Sequence, residues 1–109
     1  MAVTINIYYK GKHGSARAFA NEVLSEGLAD KIRAEKGNLK YEYFIPFDDE
    51  ETVLLIDKWE SQTALDIHHA SPMMNRISEL RNKYDLTMTV ERFVDDTNAP
   101  KSDEKFIRK

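Results

Sequence analysis

Apolar and polar residues alternate from Val3 to Tyr9. Val3, Ile5, Ile7 and Tyr9 fall on one face and Thr4, Asn6 and Tyr8 on the other, which is the period of a strand with one polar face. After Gly11 and Gly14 the period changes: Ala16, Phe19, Ala20, Val23 and Leu24 recur at helical spacing behind Ser15, a suitable N-cap. Leu28 and Ile32 continue the stripe past Gly27, so a bend or two successive helices are expected there, and Gly37 and Asn38 end the run. Leu39 to Phe47 predicts a second strand, with Leu39, Tyr41, Tyr43 and Ile45 opposed to Lys40, Glu42 and Phe44 until Pro46 limits its ladder. The acidic run from Asp48 to Glu51 reads as a solvated turn, and Thr52 to Trp59 as the returning strand of a hairpin with Val53, Leu55, Asp57 and Trp59 on one face. Ser61 caps a short helix that turns Ala64, Leu65 and His68 to one side. Pro72 breaks it and, behind Ser71, starts another helix marked by Met73, Ile77, Leu80 and Tyr84. Leu86 to Val94 alternates again, with Leu86, Met88, Val90 and Arg92 against Thr87, Thr89, Glu91 and Phe93.

The order strand, helix, strand, strand, helix, strand predicts an α+β fold: a ferredoxin-like split βαβ sandwich whose antiparallel four-stranded sheet carries its helices on one face. Residues 1–95 make one domain, and residues 96–109 a polar C-terminal tail with a single apolar pair, Phe106 and Ile107. Leu54 and Ile56 oppose Val53 and Leu55, and Phe44 opposes Tyr43, so the sheet has a second apolar face. An apolar face without helices asks for a partner, and a homodimer is expected, with Phe106 and Ile107 docking on a subunit surface.

Composition acts by exclusion. The 109 residues include no cysteine, which removes disulfides, thiolate ligands and cysteine nucleophiles. A net charge of -3 with 32% charged residues offers no broad positive field, so nucleic acid is not an expected partner. No signal-peptide pattern and no bilayer-length apolar run is present, and a soluble cytoplasmic protein with no membrane partner is expected. His13, His68 and His69 show no HxxxH or HExxH spacing, and no glycine-rich phosphate loop occurs; neither a metal nor a nucleotide or flavin cofactor is expected.

Candidate chemistry gathers between Val53 and Met74. His68 shares its helix face with Ala64 and Leu65, and an inward imidazole, ordinarily titrating near pH 6.5, can accept a proton at neutral pH. A buried histidine that only bonds a backbone carbonyl is the structural alternative. His69 lies about 100° further round the helix, at the rim or in solvent. Trp59, the only tryptophan, can stack on an aromatic ligand and donate its indole N–H, or simply fill core. Met73, Met74 and Ile77 can line an apolar wall, as they can in ordinary helix packing.

The run Lys58-Trp59-Glu60-Ser61, followed by Ala64-Leu65, His68 and Ser71-Pro72, resembles the signature of the antibiotic biosynthesis monooxygenase family. Gly37-Asn38-Leu39-Lys40-Tyr41-Glu42 is similar to that family's second strand, and the likeness covers residues 3 to 94 or so. It implies a dimeric α+β barrel with a pocket in each subunit between sheet and helices. It also implies a cofactor-independent quinol-type monooxygenase that oxidises a small dihydroxy-aromatic substrate with O2. His68 would take the phenolic proton, Asn6 and the Trp59 N–H would hold the anion, and Tyr41 with Met73, Met74 and Ile77 would bind the substrate. Met73 stands where many members have a histidine, and Asp57 where they have glutamate; haem-degrading relatives have Trp at the place of His68 and His at that of Ser78, which disfavours that branch. The alternatives are an isomerase of a small carbonyl compound using the same His68, and a non-catalytic ligand-binding dimeric module.

Overall fold

In the computed structural model, which describes all residues 1–109, the alternating stretches form one sheet from β1 (Val3–Lys10), β2 (Asn38–Phe44), β3 (Thr52–Trp59) and β4 (Thr87–Val94). The order is β2-β3-β1-β4 with every neighbour antiparallel, the interleaving of two split βαβ units that the element order predicts. The crossovers carry α1 (Ser15–Ser25) with α2 (Leu28–Arg33), and α3 (Gln62–His69) with α4 (Met73–Lys83). Val3, Tyr9, Tyr41, Leu55 and Trp59 on the inner sheet face are buried with helix residues Phe19, Val23, Ile32, Leu65 and Leu80. The first pair of helices is separated at Gly27, whose φ of 75° is left-handed backbone that ends α1 and opens α2.

Local departures from the sequence pattern have identifiable causes. β2 stops at Phe44, and a register shift between Asn38 and Lys40 inserts Leu39 as an extra residue. Leu39 and Ile45 are consequently exposed, away from the buried face of Tyr41. Ser15 is the first residue of α1 rather than its cap, and its Oγ accepts from the Lys12 N–H at 3.0 Å. The acidic run is more than a solvated turn. Glu51 accepts from the N–H groups of His13 at 2.6 Å and Gly14 at 2.9 Å, pinning the β2–β3 hairpin to the entrance of α1, while Asp49 accepts from the Thr52 hydroxyl at 2.7 Å. Ser71 Oγ is buried without a partner, so the helix after it begins on Pro72 with no side-chain cap. α4 is tied to α1 by Arg76, paired with Glu22 and Glu26, and by Lys83 on Glu22; hydrogen bonds from Lys83 first, and then from the Tyr84 hydroxyl, hold the Glu22 carboxyl down at about 2.

Gly37 positions α3 against the sheet. Its carbonyl accepts from the Glu60 N–H at 2.8 Å, its φ is 89°, and a Cβ there would lie 2.7 Å from the Ala64 Cβ. Gly37→Ala combines a left-handed backbone penalty with a clash, and should cost about 2 kcal/mol or more in urea denaturation. Gly27→Ala has open space around it and bears the backbone penalty alone, about 1 kcal/mol. Equal midpoints for the two variants would contradict the close approach.

Candidate functional site

The alternation of β3 puts Asp57 and Trp59 side by side on the helix-covered face, and the Trp59 indole Nε1 donates to Asp57 Oδ1 at 2.7 Å. Immediately after the strand, Ser61 caps α3 by accepting from the Ala64 N–H at 3.1 Å, which fixes the start of the helix and turns Ala64, Leu65 and His68 inward. The His68 ring therefore lands on Trp59, stacked with centroids 4.6 Å apart and planes at 24°. Its Nδ1 lies 2.8 Å from Oε2 of Glu35, in the turn that follows α2. Trp59 is 0% and His68 2% exposed, so the pair forms the floor of the site rather than its wall.

An Nδ1–H donated to the Glu35 carboxylate leaves the Nε2 lone pair of His68 free, the tautomer a proton acceptor needs. Burial pushes the Asp57 carboxyl up to about 6, against the Trp59 hydrogen bond and the His68 charge, which both favour its ionised form. The exposed His69 has its ring 5.7 Å from that of His68, and burial first, then the His68 charge, lowers its pKa. A cleft of about 280 Å³ opens beside the group, lined by Glu35, Trp59, Ser61, Ala64 and Ile67 among others.

The structure brings together two of the residues singled out from the sequence, His68 and Trp59, and separates a third. Asn6 pairs with Ile56 and Glu91, at positions whose side chains point away from the helices, whereas Trp59 pairs with Val3 on the covered face. Within one subunit the sheet stands between the Asn6 amide and His68, so the expected pairing of Asn6 with the Trp59 N–H over a bound anion is not formed. The physical reason is the two-residue period of β1, which puts Asn6 opposite to Ile5 and Ile7. The Trp59 N–H is itself engaged by Asp57. Tyr41 is buried beside Asp57 in the register, with its hydroxyl 3.0 Å from that of Tyr43, and burial raises the pKa of both phenols. Met73 and Met74 are half-buried at the start of α4, and Ile77 is buried. Sequence reasoning passed over Glu35 and Asp57. A carboxylate at an inward position of an apolar strand was a readable signal for Asp57; Glu35, between Ala34 and Lys36 at a helix end, gave none.

Residues 2–80 match the family described as antibiotic biosynthesis monooxygenase. Over 67 residues, 62% of this chain and 68% of its relative, the sequence is 28% identical to YcnE of Bacillus subtilis (strain 168), named as a candidate monooxygenase. Two solved structures superpose closely. One, a candidate antibiotic biosynthesis monooxygenase from Deinococcus radiodurans, has a TM-score of 0.76 at 17% identity and covers 92% of this chain and 97% of its own. The other, SnoaB from Streptomyces nogalater, described as a cofactor-independent oxygenase, has a TM-score of 0.73 at 18% identity and covers 92% of this chain and 98% of its own. At such identities the two structures establish the fold alone.

Proposed function

The chain belongs to the antibiotic biosynthesis monooxygenase family, and from that premise we propose that it is a cofactor-independent, cytoplasmic monooxygenase that oxidises a small dihydroxy-aromatic compound with O2. The observation that carries this reading is the 2.8 Å contact of His68 Nδ1 with Glu35 beneath an imidazole stacked on Trp59. A carboxylate behind one ring nitrogen and an aromatic face below it both stabilise the imidazolium formed when the other nitrogen takes a proton.

His68 Nε2 removes the proton of a phenolic hydroxyl, directly or through a water, and the anion becomes electron-rich enough to give one electron to O2. The resulting radical and superoxide combine at a ring carbon to a hydroperoxide, which loses water and leaves a hydroxyquinone. One oxygen atom enters the ring and the other leaves as water, so a hydroquinone and O2 balance against a hydroxyquinone and H2O with the substrate supplying all the electrons. Half-buried Met73 and Met74 offer an apolar edge to the ring.

The molecule acts as a homodimer in this reading. The sheet face opposite the helices carries the half-buried Phe44, Leu54 and Ile56 and the exposed Phe93, an area a second copy would cover. Phe106 and Ile107, exposed on and just after a short 3-10 helix at Lys101–Phe106, would dock on the partner.

The reading is tested by oxygen uptake of metal-stripped protein with a panel of hydroquinones. One O2 consumed per hydroxyquinone formed is expected. Turnover that persists without oxygen would identify an isomerase instead, and ligand binding with no turnover a binding module.

A further inference from the structure

Trp59 is the only tryptophan of the chain, and tyrosines follow it across the covered face of the sheet. Tyr41 faces Asp57 in the register of β2 on β3, so Trp59, two residues further along β3, is its diagonal neighbour on that face, at about 7–8 Å and within reach of two aromatic side chains. Both rings belong to the same buried core. From Tyr41 the contact continues: its hydroxyl is 3.0 Å from that of Tyr43, and the two rings stand edge to face with centroids 5.6 Å apart. Trp59, Tyr41 and Tyr43 thus form a row of three oxidisable rings.

The two ends of the row open in different places. Trp59 lines the cleft beside His68, whereas the half-buried Tyr43 lines an apolar groove of about 300 Å³ with Ala20, Leu24, Phe44, Ile45 and Val53. Cleft and groove share no residue. A buried carboxylate accompanies the row: Asp57 accepts the Trp59 N–H at 2.7 Å, and its charge, after burial and the neighbouring phenols, adds to the raised pKa of Tyr41. Neither Tyr41 nor Tyr43 takes part in proton removal at His68.

We propose that Trp59, Tyr41 and Tyr43 are a relay that carries a one-electron oxidising equivalent out of the cleft to the groove, where a small quinol discharges it. The oxidant is a peroxyl radical strayed from the reaction of substrate with O2, and to that extent the proposal rests on the monooxygenase reading; the path does not. The peroxyl radical takes an electron from the Trp59 indole and a proton from water and leaves as a hydroperoxide, while the Nε1 proton passes to Asp57. The tryptophanyl radical then takes an electron from Tyr41 and its own proton back from Asp57. The Tyr41 proton crosses to the Tyr43 oxygen as Tyr43 releases its own to water in the groove. A hydrogen atom returns from Tyr43 to Tyr41 across the same bond and leaves the radical on Tyr43, which the quinol fills with a hydrogen atom. Peroxyl radical and quinol balance against hydroperoxide and semiquinone, and every protein group is restored. At neutral pH a tyrosyl radical is more stable than a tryptophanyl one, so the transfer runs downhill and outward.

The test is pulse radiolysis of the full chain with the azide radical, a small one-electron oxidant that prefers indole to phenol. With a single tryptophan in the chain, the tryptophanyl absorption reports Trp59 alone. It should decay as tyrosyl absorption grows, at a rate independent of protein concentration, and added 1,4-hydroquinone should then speed the loss of the tyrosyl signal. Tyr41→Phe and Tyr43→Phe should both lose the coupled growth, because one removes the electron donor and the other the oxygen that takes its proton. Each keeps the ring, so the core stays filled. Tyr84→Phe, at the end of α4 and outside the row, should behave as the native protein does. Absence of a tryptophanyl signal, a decay that depends on protein concentration, unaltered transfer in Tyr41→Phe or Tyr43→Phe, an equal loss in Tyr84→Phe, or a tyrosyl signal indifferent to hydroquinone would each overturn the relay. Transfer in a protein that consumes no oxygen with any hydroquinone sinks the monooxygenase reading and spares the path, whereas oxygen uptake without transfer sinks the relay alone.

Discussion

Oxygen uptake by His68→Ala is expected to fall about a hundredfold or more relative to the native protein, the usual scale of a lost general base. The substitution also removes the ring that covers Trp59, so His68→Gln serves as the companion variant: it refills much of the volume, keeps a polar end near Glu35 and lacks the basic nitrogen. Both should be equally inactive in steady-state assays, while urea denaturation should show His68→Gln as the more stable. Activity retained by either variant would take His68 out of the mechanism. Glu35 acts through His68 and is a positioning residue. Glu35→Gln can still accept the Nδ1–H, so the tautomer survives, but the charge that favours the imidazolium is gone; kcat should fall about tenfold with KM little changed. A matching rise in KM would instead make Glu35 part of the substrate's own contacts, through the cleft it lines with Trp59.

The elements of the fold were legible because their signals are local. Two-residue periods marked all four strands, Gly27 divided the first helical stretch, and Ser61 marked the start of α3. Leu39 was misplaced because a bulge depends on how β2 meets β3, which a single strand does not encode, and Ile45 because β2 stops at Phe44, one residue before it. The site was legible only in part. His68 and Trp59 are nine residues apart, joined by one cap and one strand end, and the local pattern was enough to put both on the covered face. Glu35 comes to His68 from 33 residues away, and no periodicity reports such a meeting. Asn6 shows the converse failure: the strand period gave its face correctly, but family likeness drew it into a pocket that lies on the other side of the sheet.

Asp57→Asn should stabilise the protein at neutral pH and change how its stability depends on pH. Burial raises the Asp57 carboxyl to about 6 from an ordinary 3.8, so between these values the folded chain binds a proton that the unfolded chain has already lost. Stability is then fully present below about pH 4 and declines as pH rises through 6, the reverse of a carboxylate held by an ion pair. The difference corresponds to about 3 kcal/mol of destabilisation at pH 7. Asparagine keeps an oxygen for the Trp59 N–H and carries no charge to bury, so the variant should gain roughly 1–3 kcal/mol at pH 7 and lose this group's decline between pH 4 and 6. Thermal denaturation across that range measures both. An unchanged pH profile would mean that the Asp57 carboxylate is hydrated in solution. A costly carboxylate beside Trp59 invites a functional reason, and the His68 charge, which favours its ionised form, supplies one: a negative charge at Asp57 answers the positive charge that a substrate proton leaves on the ring. Asp57→Asn should therefore be the variant that is more stable and turns over more slowly, and a more stable variant with undiminished kcat would separate Asp57 from the chemistry.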